Sequence, residues 1–409
     1  MNHANQSNQP SQSKQTSKQN KKSHSLVIEG IVTLVLILGA TTVLYLHTSG
    51  YRLNKTTDGQ NTLDLSKTGM ISVKSVPDSA SVYLDDKLVT ATDDTISGVD
   101  PGIHNLKMIK KGFVEWTKDI EVFQGLVTDI TAILVSQSPS LEPLTNTGAR
   151  FPKISPTLTK LAYFSNDSEK PGVWIIPLGG TGINLFKSNP TVAIQDTRFT
   201  KYSSGTALEW APDEKELLVQ GDATTSQFYL IDLQTNTAQT TSSPQLVREN
   251  WANKETQKRT DFVANLDVPD NIKQLAVSAK SSWAPDNKKF LYTVQQGDNL
   301  EYRVYNFEKP LPVGEKVDSV VLKTNVNDPQ PKISWYSDSF HLILVDGDIG
   351  QSHKGSISLI RIDGTNKVEV YNNTLYSDSV FSAPSGDKII ILTSFKSGDQ
   401  TDLYTVGIR

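Results

Sequence analysis

The sequence predicts an all-β protein carried on a single N-terminal transmembrane helix. Three observations predict it. Leu26–Leu46 is an unbroken apolar run. From Gly69 the chain alternates between polar and apolar residues with a period of two. From residue 154 onward, a short block built around a Pro or Ser recurs five times, each time just ahead of an apolar strand. The 409 residues suffice for two or three domains of roughly 150 residues each.

The first element is the run LVIEGIVTLVLILGATTVLYL, long enough as a helix (roughly 31 Å) to match the hydrocarbon core of a bilayer. Glu29 is its one charge and lies a turn from the start, within reach of the headgroups. A cleaved signal peptide is the alternative. Such peptides carry a shorter apolar core, about 7–15 residues, and end in a small-x-small site, whereas this run ends in Tyr45, Leu46 and His47. Residues 1–24 hold Lys14, Lys18, Lys21 and Lys22 among Gln, Ser, Asn and Thr, with no acid and nothing to bury, and are expected to be a disordered cytoplasmic tail. Those lysines outnumber Arg52 and Lys55 on the other side, which predicts an N-terminus inside and the bulk of the chain extracytoplasmic.

The second element is a small β-domain. Met70, Ser72, Lys74 and Val76 alternate with Ile71, Val73 and Ser75 up to Pro77. Ala80, Val82 and Leu84 alternate with Ser81 and Tyr83 before an Asp85-Asp86 turn. Leu106, Met108, Ile120 and Val122 continue the pattern, and Val127–Leu134 reads as a last strand. These are strands of a half-buried antiparallel sheet, with Tyr51 and Leu53–Leu65 expected as a lead-in strand. Pro77 ends a strand, Ala80 is small where the chain re-enters the sheet, and Pro101-Gly102 is a β-turn before a strand. The blocks Pro77-Asp78-Ser79-Ala80-Ser81-Val82-Tyr83-Leu84-Asp85 and Pro101-Gly102-Ile103-His104-Asn105-Leu106, with Lys110-Lys111-Gly112-Phe113 after them, resemble the PEGA domain, a small β-sandwich of bacterial envelope proteins. The departures from the family pattern are Asp78-Ser79 and the loop Thr90–Ile96.

The third element is the repeat. Its blocks are Ile154-Ser155-Pro156, Trp210-Ala211-Pro212-Asp213, Trp283-Ala284-Pro285-Asp286, Trp335-Tyr336-Ser337-Asp338 and Phe381-Ser382-Ala383-Pro384. Five residues beyond each Pro or Ser position (156, 212, 285, 337 and 384) an apolar strand begins, at Leu161, Leu217, Phe290, Leu342 and Ile389, and a second strand follows. A multi-strand unit recurring about every 50 residues is a β-propeller blade. The blocks resemble TolB-type propellers, whose signature is Trp-Ser-Pro-Asp-Gly; here Glu214, Asn287 and Ser339 stand at the glycine position. Trp210, Trp283 and Trp335 are read as fillers between neighbouring blades, and Leu141–Leu144 as a strand that closes the last blade.

The step from Pro212 to Pro285 is longer than the others, and residues 245–266 read as a short charged helix. Five blades with an insertion are expected, with a degenerate sixth blade as the alternative. The predicted layout is a tail over 1–24, a transmembrane helix over 25–47, a PEGA-like sandwich over 48–137, and a propeller over 138–409 with an insertion around 241–270.

Little in the sequence carries chemistry. There is no cysteine, which excludes disulfides, Cys-ligated zinc, iron–sulfur clusters and thiol catalysis. The six histidines, His3, His24, His47, His104, His341 and His353, form no motif. No G-x-S-x-G, P-loop or H-E-x-x-H pattern occurs. Gly179-Gly180-Thr181-Gly182 lacks the Lys and helix of a phosphate loop, Asp346-Gly347-Asp348 reads as a hairpin turn, and Asp85-Asp86 and Asp93-Asp94 read as turn residues. No catalytic, cofactor or metal residue is assigned, no cofactor is expected, and ligand-binding residues are left open. Outside the tail and helix the balance is mildly acidic and spread out, which argues against nucleic acid as a partner. The reading is a membrane-anchored, non-enzymatic binding or scaffolding protein of the bacterial cell envelope. Its partner would be a protein or a cell-wall polymer. The alternative is an extracytoplasmic hydrolase or lyase using carboxylates on a propeller face.

Overall fold

The computed structural model of the chain describes residues 19–48, 50–55, 63–179, 189–224, 226–395 and 400–409. Helix α1 (Gln19–Thr48) contains the apolar run, and Val27–Thr48 is long and apolar enough to cross a membrane, as an anchor or a signal sequence would. Gln19–His24 are helical rather than part of an unstructured tail, because the polar turn simply continues the backbone ladder of the apolar segment. The threonines of the helix satisfy their own hydroxyls. Thr33 donates to the Glu29 carbonyl at 2.8 Å and Thr42 to the Leu38 carbonyl at 2.7 Å, so both hydroxyls are satisfied within the helix.

A hairpin follows, β1 (Tyr51–Lys55) paired with β2 (Leu63–Lys67), where the sequence predicts one lead-in strand. The small sandwich comprises β3 (Gly69–Val76), β4 (Ser81–Leu84), β5 (Lys87–Ala91), β6 (Asp94–Val99), β7 (Gly102–Ile109), β8 (Trp116–Val122) and β9 (Val127–Ile133). One sheet runs β6-β3-β9 and the other β5-β4-β7-β8. The alternation seen in the sequence faces Ile71, Val73, Val82, Leu106, Met108 and Ile120 into a shared core. The pairing is not purely antiparallel. The chain leaves β8 in one sheet and crosses to the other, and so lays β9 parallel to β3.

The second domain holds five four-stranded antiparallel sheets among the described residues. The closing strand β10 (Leu141–Pro143) comes first. Blade 1 is β11 (Arg150–Ile154), β12 (Lys160–Ser165), β13 (Gly172–Pro177) and β14 (Thr191–Gln195). Blade 2 is β15 (Ala207–Trp210), β16 (Glu216–Gln220), β17 (Phe228–Asp232) and β18 (Thr237–Thr241). Blade 3 is β19 (Ser282–Trp283), β20 (Lys289–Gln296), β21 (Asn299–Asn306) and β22 (Asp318–Asn325). Blade 4 is β23 (Lys332–Trp335), β24 (His341–Asp348), β25 (Lys354–Arg361) and β26 (Val368–Thr374). Blade 5 is β27 (Phe381–Ser382), β28 (Lys388–Thr393) and β29 (Asp402–Gly407), completed by β10, which pairs Leu141 with Val406 and Pro143 with Tyr404. This closure covers the outer edge of β29 and leaves the three-residue β10 as the short outer edge of blade 5.

The segment between blades 2 and 3 is helical over a longer stretch than the sequence predicts. Helix α2 (Pro244–Ala264) starts with Pro at its first turn, and α3 (Asp270–Val277) follows it. The pair fills a sector of the ring. Blade 1 packs on blade 2 through Phe164, Val173, Leu217 and Val219, blade 3 on blade 4 through Leu291, Val304, Leu342 and Leu344, blade 4 on blade 5 through Ile343, Ile357, Ile389 and Ile391, and blade 5 on blade 1 through Ile390, Leu403, Leu161 and Tyr163. Between blades 2 and 3 the contact is indirect. Leu218 of blade 2 packs on Trp251 of α2, while Val263, Ile272 and Ala276 of the helices pack on Phe290, Tyr305 and Phe307 of blade 3.

The sandwich is joined to the propeller by more than the chain. Val135 belongs to the core between blades 4 and 5, and the Ser136 amide donates to the Ile408 carbonyl at 2.7 Å. Lys118 of β8 lies 2.6 Å from Asp363, in the turn between β25 and β26, and the Thr117 amide donates to Asn366 Oδ1 at 3.2 Å.

Candidate functional site: a cavity on the propeller axis

The repeat blocks converge. Lys153–Leu158 of blade 1, Trp210 and Pro212 of blade 2, Ser282–Pro285 of blade 3, Ile333–Trp335 of blade 4 and Val380–Ser382 of blade 5 all line one cavity of about 800 Å³. Only the axis of the ring brings the innermost strands of every blade together, so this is the mouth of the central channel. Glu255, Lys258 and Arg259 of α2 reach the same cavity.

The turn after each inner strand explains the spacing of the blocks. Leu158, Glu214, Asn287, Ser339 and Gly386 occupy the same place in the five repeats, and all have positive φ, between 55° and 62°. The signature glycine therefore marks a left-handed turn that Asn, Ser and Glu also adopt here. Two of these residues also tie neighbouring blades through their side chains, and the Gly386 carbonyl does so by accepting the Tyr336 hydroxyl of blade 4. Glu214 Oε1 accepts the Thr157 amide of blade 1 at 2.8 Å, and Ser339 Oγ accepts the Asp286 amide of blade 3 at 3.1 Å.

The tryptophans spend their polar atom on the scaffold. Trp210 donates its indole N–H to the Lys153 carbonyl at 2.9 Å, and Trp335 to the Ser282 carbonyl at 2.9 Å, in each case the inner strand of the preceding blade. Trp283 instead donates to Ala276 at the end of α3, at 2.8 Å. In the fifth block Ser382 stands at the tryptophan position, and its hydroxyl accepts the Ser337 amide at 3.1 Å. What remains for a ligand is indole carbon and the exposed Ser282.

Of the two carboxylates in the wall, Glu209 is clamped by Arg248, whose Nε donates to both of its oxygens at 3.0 Å, and Glu255 is paired with Arg259 at 3.2 Å. Arg259 also lies over the Trp283 ring, 5.9 Å from its centre. Lys153 and Lys258 are exposed and form no ion pair among the described residues. The cavity thus offers indole surface and hydroxyls, with positive charge at its rim.

The residues singled out in the sequence lie elsewhere. His104 is engaged through both ring nitrogens, by Asp85 and by the Asp100 carbonyl, each at 2.7 Å. His341 is buried in blade 4 with Nδ1 2.7 Å from Asp338. Burial pushes the Asp338 carboxyl up, but His341 and two backbone N–H groups outweigh it and hold it below its ordinary value. His353 stacks on Tyr376 at the opposite face, beside a second cavity of about 480 Å³. Asp346-Gly347-Asp348 is the end of β24 and not a turn: it pairs with Lys354–Ser356, and the turn lies at 349–353. Gly180–Gly182 lie outside the described residues. Among the described residues no group of three or more His, Cys, Asp or Glu is placed to hold a metal ion.

The small sandwich lends no wall to the axial cavity. Residues 68–138 match the PEGA domain. The PEGA domain accounts for the segment between the helix and the propeller. Among solved structures the chain is similar to TolB from Acinetobacter baumannii, at 14% identity and a TM-score of 0.24, over 74% of this chain and 59% of that one. It is also similar to an oligogalacturonate lyase in complex with manganese, at 16% identity and a TM-score of 0.23, over 65% of each chain. A third likeness is to the β-propeller domain of the Trilobed protease from Pyrococcus furiosus, at 13% identity and a TM-score of 0.21, over 64% of this chain and 70% of that one. The chain spans less than two thirds of the length of the first two. The propeller that follows the PEGA domain stands on its own sheet order and repeat. No curated protein matches the chain.

Proposed function

We propose that the protein is a membrane-anchored, extracytoplasmic binding protein of the bacterial cell envelope. Helix α1 holds it in the membrane, the PEGA domain is the stalk, and the propeller presents its axial cavity to a protein loop or a segment of cell-wall polymer. The cavity carries this reading. At about 800 Å³ it is of the size of small-ligand sites, and every blade contributes to its wall. Its rim is cationic and its carboxylates are occupied by arginines, so it favours holding a polar or anionic segment over acid–base chemistry.

The test is to reconstitute the full chain in lipid nanodiscs and incubate it with cell-wall polysaccharide, with a glycan panel and with solubilised envelope proteins, measuring retention and product formation together. Retention without turnover, lost in a variant that fills the cavity, is the expected result. The second reading, a carboxylate hydrolase or lyase, replaces the first if turnover appears and Glu209→Gln or Glu255→Gln abolishes it with the fold intact. No retention of any of these by the wild type overturns the binding reading.

A further inference from the structure

We propose that the end of the PEGA domain nearest α1 rests on the bilayer surface, with Ile103, Leu126 and Met70 as apolar tips in the headgroup region. The inference rests on the proposal that α1 is a membrane anchor and extends it to a second contact with lipid.

Three consecutive hydrogen-bonded steps lead from the helix to this end of the domain. The Gly50 amide donates to the His47 carbonyl in the last turn of α1, at 3.2 Å. The Thr68 amide and hydroxyl both donate to the Gly50 carbonyl at 2.7 Å. The Gly125 amide then donates to the Thr68 carbonyl at 3.1 Å, while the Met70 amide donates to the Leu126 carbonyl at 3.0 Å. Two peptide units separate Gly50 from the last helical residue, Thr48, so Gly50 lies within about 7.6 Å of it. A domain tied this closely to the end of a spanning helix has no room to stand clear of the headgroups.

The same end carries large apolar side chains in the open. Ile103 is 77% exposed, Leu126 49% and Met70 37%. Gly102, beside Ile103, pairs with Val122, and Val122 packs against Gly69, so all three tips belong to one rim where β3, β7 and β9 begin and β8 ends. The other end of the sandwich, where β9 ends and β8 begins, carries the hydrogen bonds and the ion pair to the propeller, while at the start of β9 Thr128 lies beside Gly314 of the propeller. Single exposed apolar residues are ordinary, but three on the rim next to a membrane helix form an interfacial surface. The charges there balance in sign. The Arg52 side chain lies over Gly98 and the Lys67 side chain over Gly125, while Asp100 and Glu121 flank Ile103. Contact therefore depends on the apolar tips and is insensitive to salt, and the tether supplies a high local concentration of lipid.

The absence of cysteine makes the test clean. A nitroxide is attached to single cysteines replacing Ile103, Leu126, Leu36 in the middle of α1, or Phe199 on the propeller, which is 91% exposed. The full chain is placed in nanodiscs of three parts phosphatidylcholine to one part phosphatidylglycerol, and collision with oxygen is compared with collision with a water-soluble nickel chelate. Variants are read only if they keep the wild-type melting temperature. The oxygen-to-nickel ratio is expected to be highest at 36, lowest at 199 and severalfold above 199 at 103 and 126, with no change in 0.5 M salt. A deep reading at 36 with aqueous readings at 103 and 126 overturns this inference and leaves the anchor standing. An aqueous reading at 36 overturns both.

Discussion

Trp283 donates its indole N–H to the carbonyl of Ala276, the residue before the last of α3, at 2.8 Å. At the equivalent place in blades 2 and 4 the indole reaches the inner strand of the preceding blade. The inserted helices thus receive the same bond that a blade would receive. Helix α2 presents Trp251 to blade 2, and the two helices present Val263, Ile272 and Ala276 to blade 3. Among the described residues the ring comprises five sheets and one helical sector.

Trp283→Ala should therefore loosen the helical sector before anything else. The ring lies against Phe262, Phe290 and Phe307 with centroids 5.6–5.8 Å away, and its removal should cost roughly 3 kcal/mol, at the low end for a large aromatic because the site is only partly buried. Urea unfolding measures the cost. Amide exchange in Asp270–Val277 should speed up in this variant and stay unchanged in Trp335→Ala. Equal protection of α3 in both variants would show that the helices do not depend on this contact.

The left-handed turns make a second prediction. Asn287 is exposed, has a φ of 55°, and lends its side chain to no neighbouring blade. Asn287→Gly should leave stability within about 0.5 kcal/mol, whereas Asn287→Val should cost about 1–2 kcal/mol from backbone strain alone. Ser339→Gly has the same backbone freedom and should still destabilise, by about 1 kcal/mol, because the Asp286 amide loses its acceptor. Thermal melts of the three variants decide it. A stabilised Ser339→Gly would mean that the bond between blades contributes nothing.

The blades were legible because their strands are apolar, their turns demand a left-handed residue, and both recur in register; the five positions near 156, 212, 285, 337 and 384 all fall at inner-strand ends. The PEGA-like sandwich was legible from period-two alternation, but the parallel pairing of β9 with β3 was not, since alternation reports which face is buried and not strand direction. The helical sector was half visible: α2 is so charged that its apolar contacts, Trp251 and Val263, form no stripe, and it reads as a surface insertion. The axial cavity could not be read at all. Its wall is made of residues next to the repeated tryptophans, which local sequence explains fully as packing. Only ring closure makes Ser282, Ser334 and Ser382 neighbours around one space.

Ser282 offers a way to test the cavity without disturbing the ring. Its side chain is exposed and lines the cavity, while its backbone pairs with Leu291 and its carbonyl accepts the Trp335 indole N–H. Ser282→Phe should fill part of the channel mouth and reduce retention of the bound envelope component at least tenfold, with a melting temperature within a few degrees of the wild type, as expected for a change of about 1 kcal/mol or less. Unchanged retention would move the binding surface off the axis.

The joint between the PEGA domain and the propeller is predicted to weaken in acid. Asp363 is mostly buried between Lys118 of the PEGA domain, 2.6 Å away, and Arg361 of blade 4, 2.5 Å away, and it also accepts the Thr365 hydroxyl at 2.6 Å. Burial alone would raise its carboxyl, but Arg361 and Lys118 outweigh burial and hold it far below the usual carboxylate range. Burial likewise opposes the charge on Arg361, and Glu315 and Asp363 override it, so that the guanidinium stays ionised. A carboxyl depressed in the folded state contributes stability that is fully present above its unfolded pKa, near 3.8, and is lost as pH falls from there toward the folded value. The gap in unfolding free energy between wild type and Asp363→Asn should therefore be constant from pH 7 to 5 and narrower by about 1 kcal/mol at pH 3. Lys118→Met should cost about 1–3 kcal/mol at pH 7, less than Asp363→Asn, because it leaves Asp363 paired with Arg361. Urea titrations of the three proteins at pH 7, 5 and 3, followed by protease cleavage in the 134–140 connection, measure both effects. A gap that stays the same at pH 3 as at pH 7 would mean that Asp363 titrates alike in the folded and unfolded chains, and that the bridge from Lys118 does not hold the PEGA domain to blade 4.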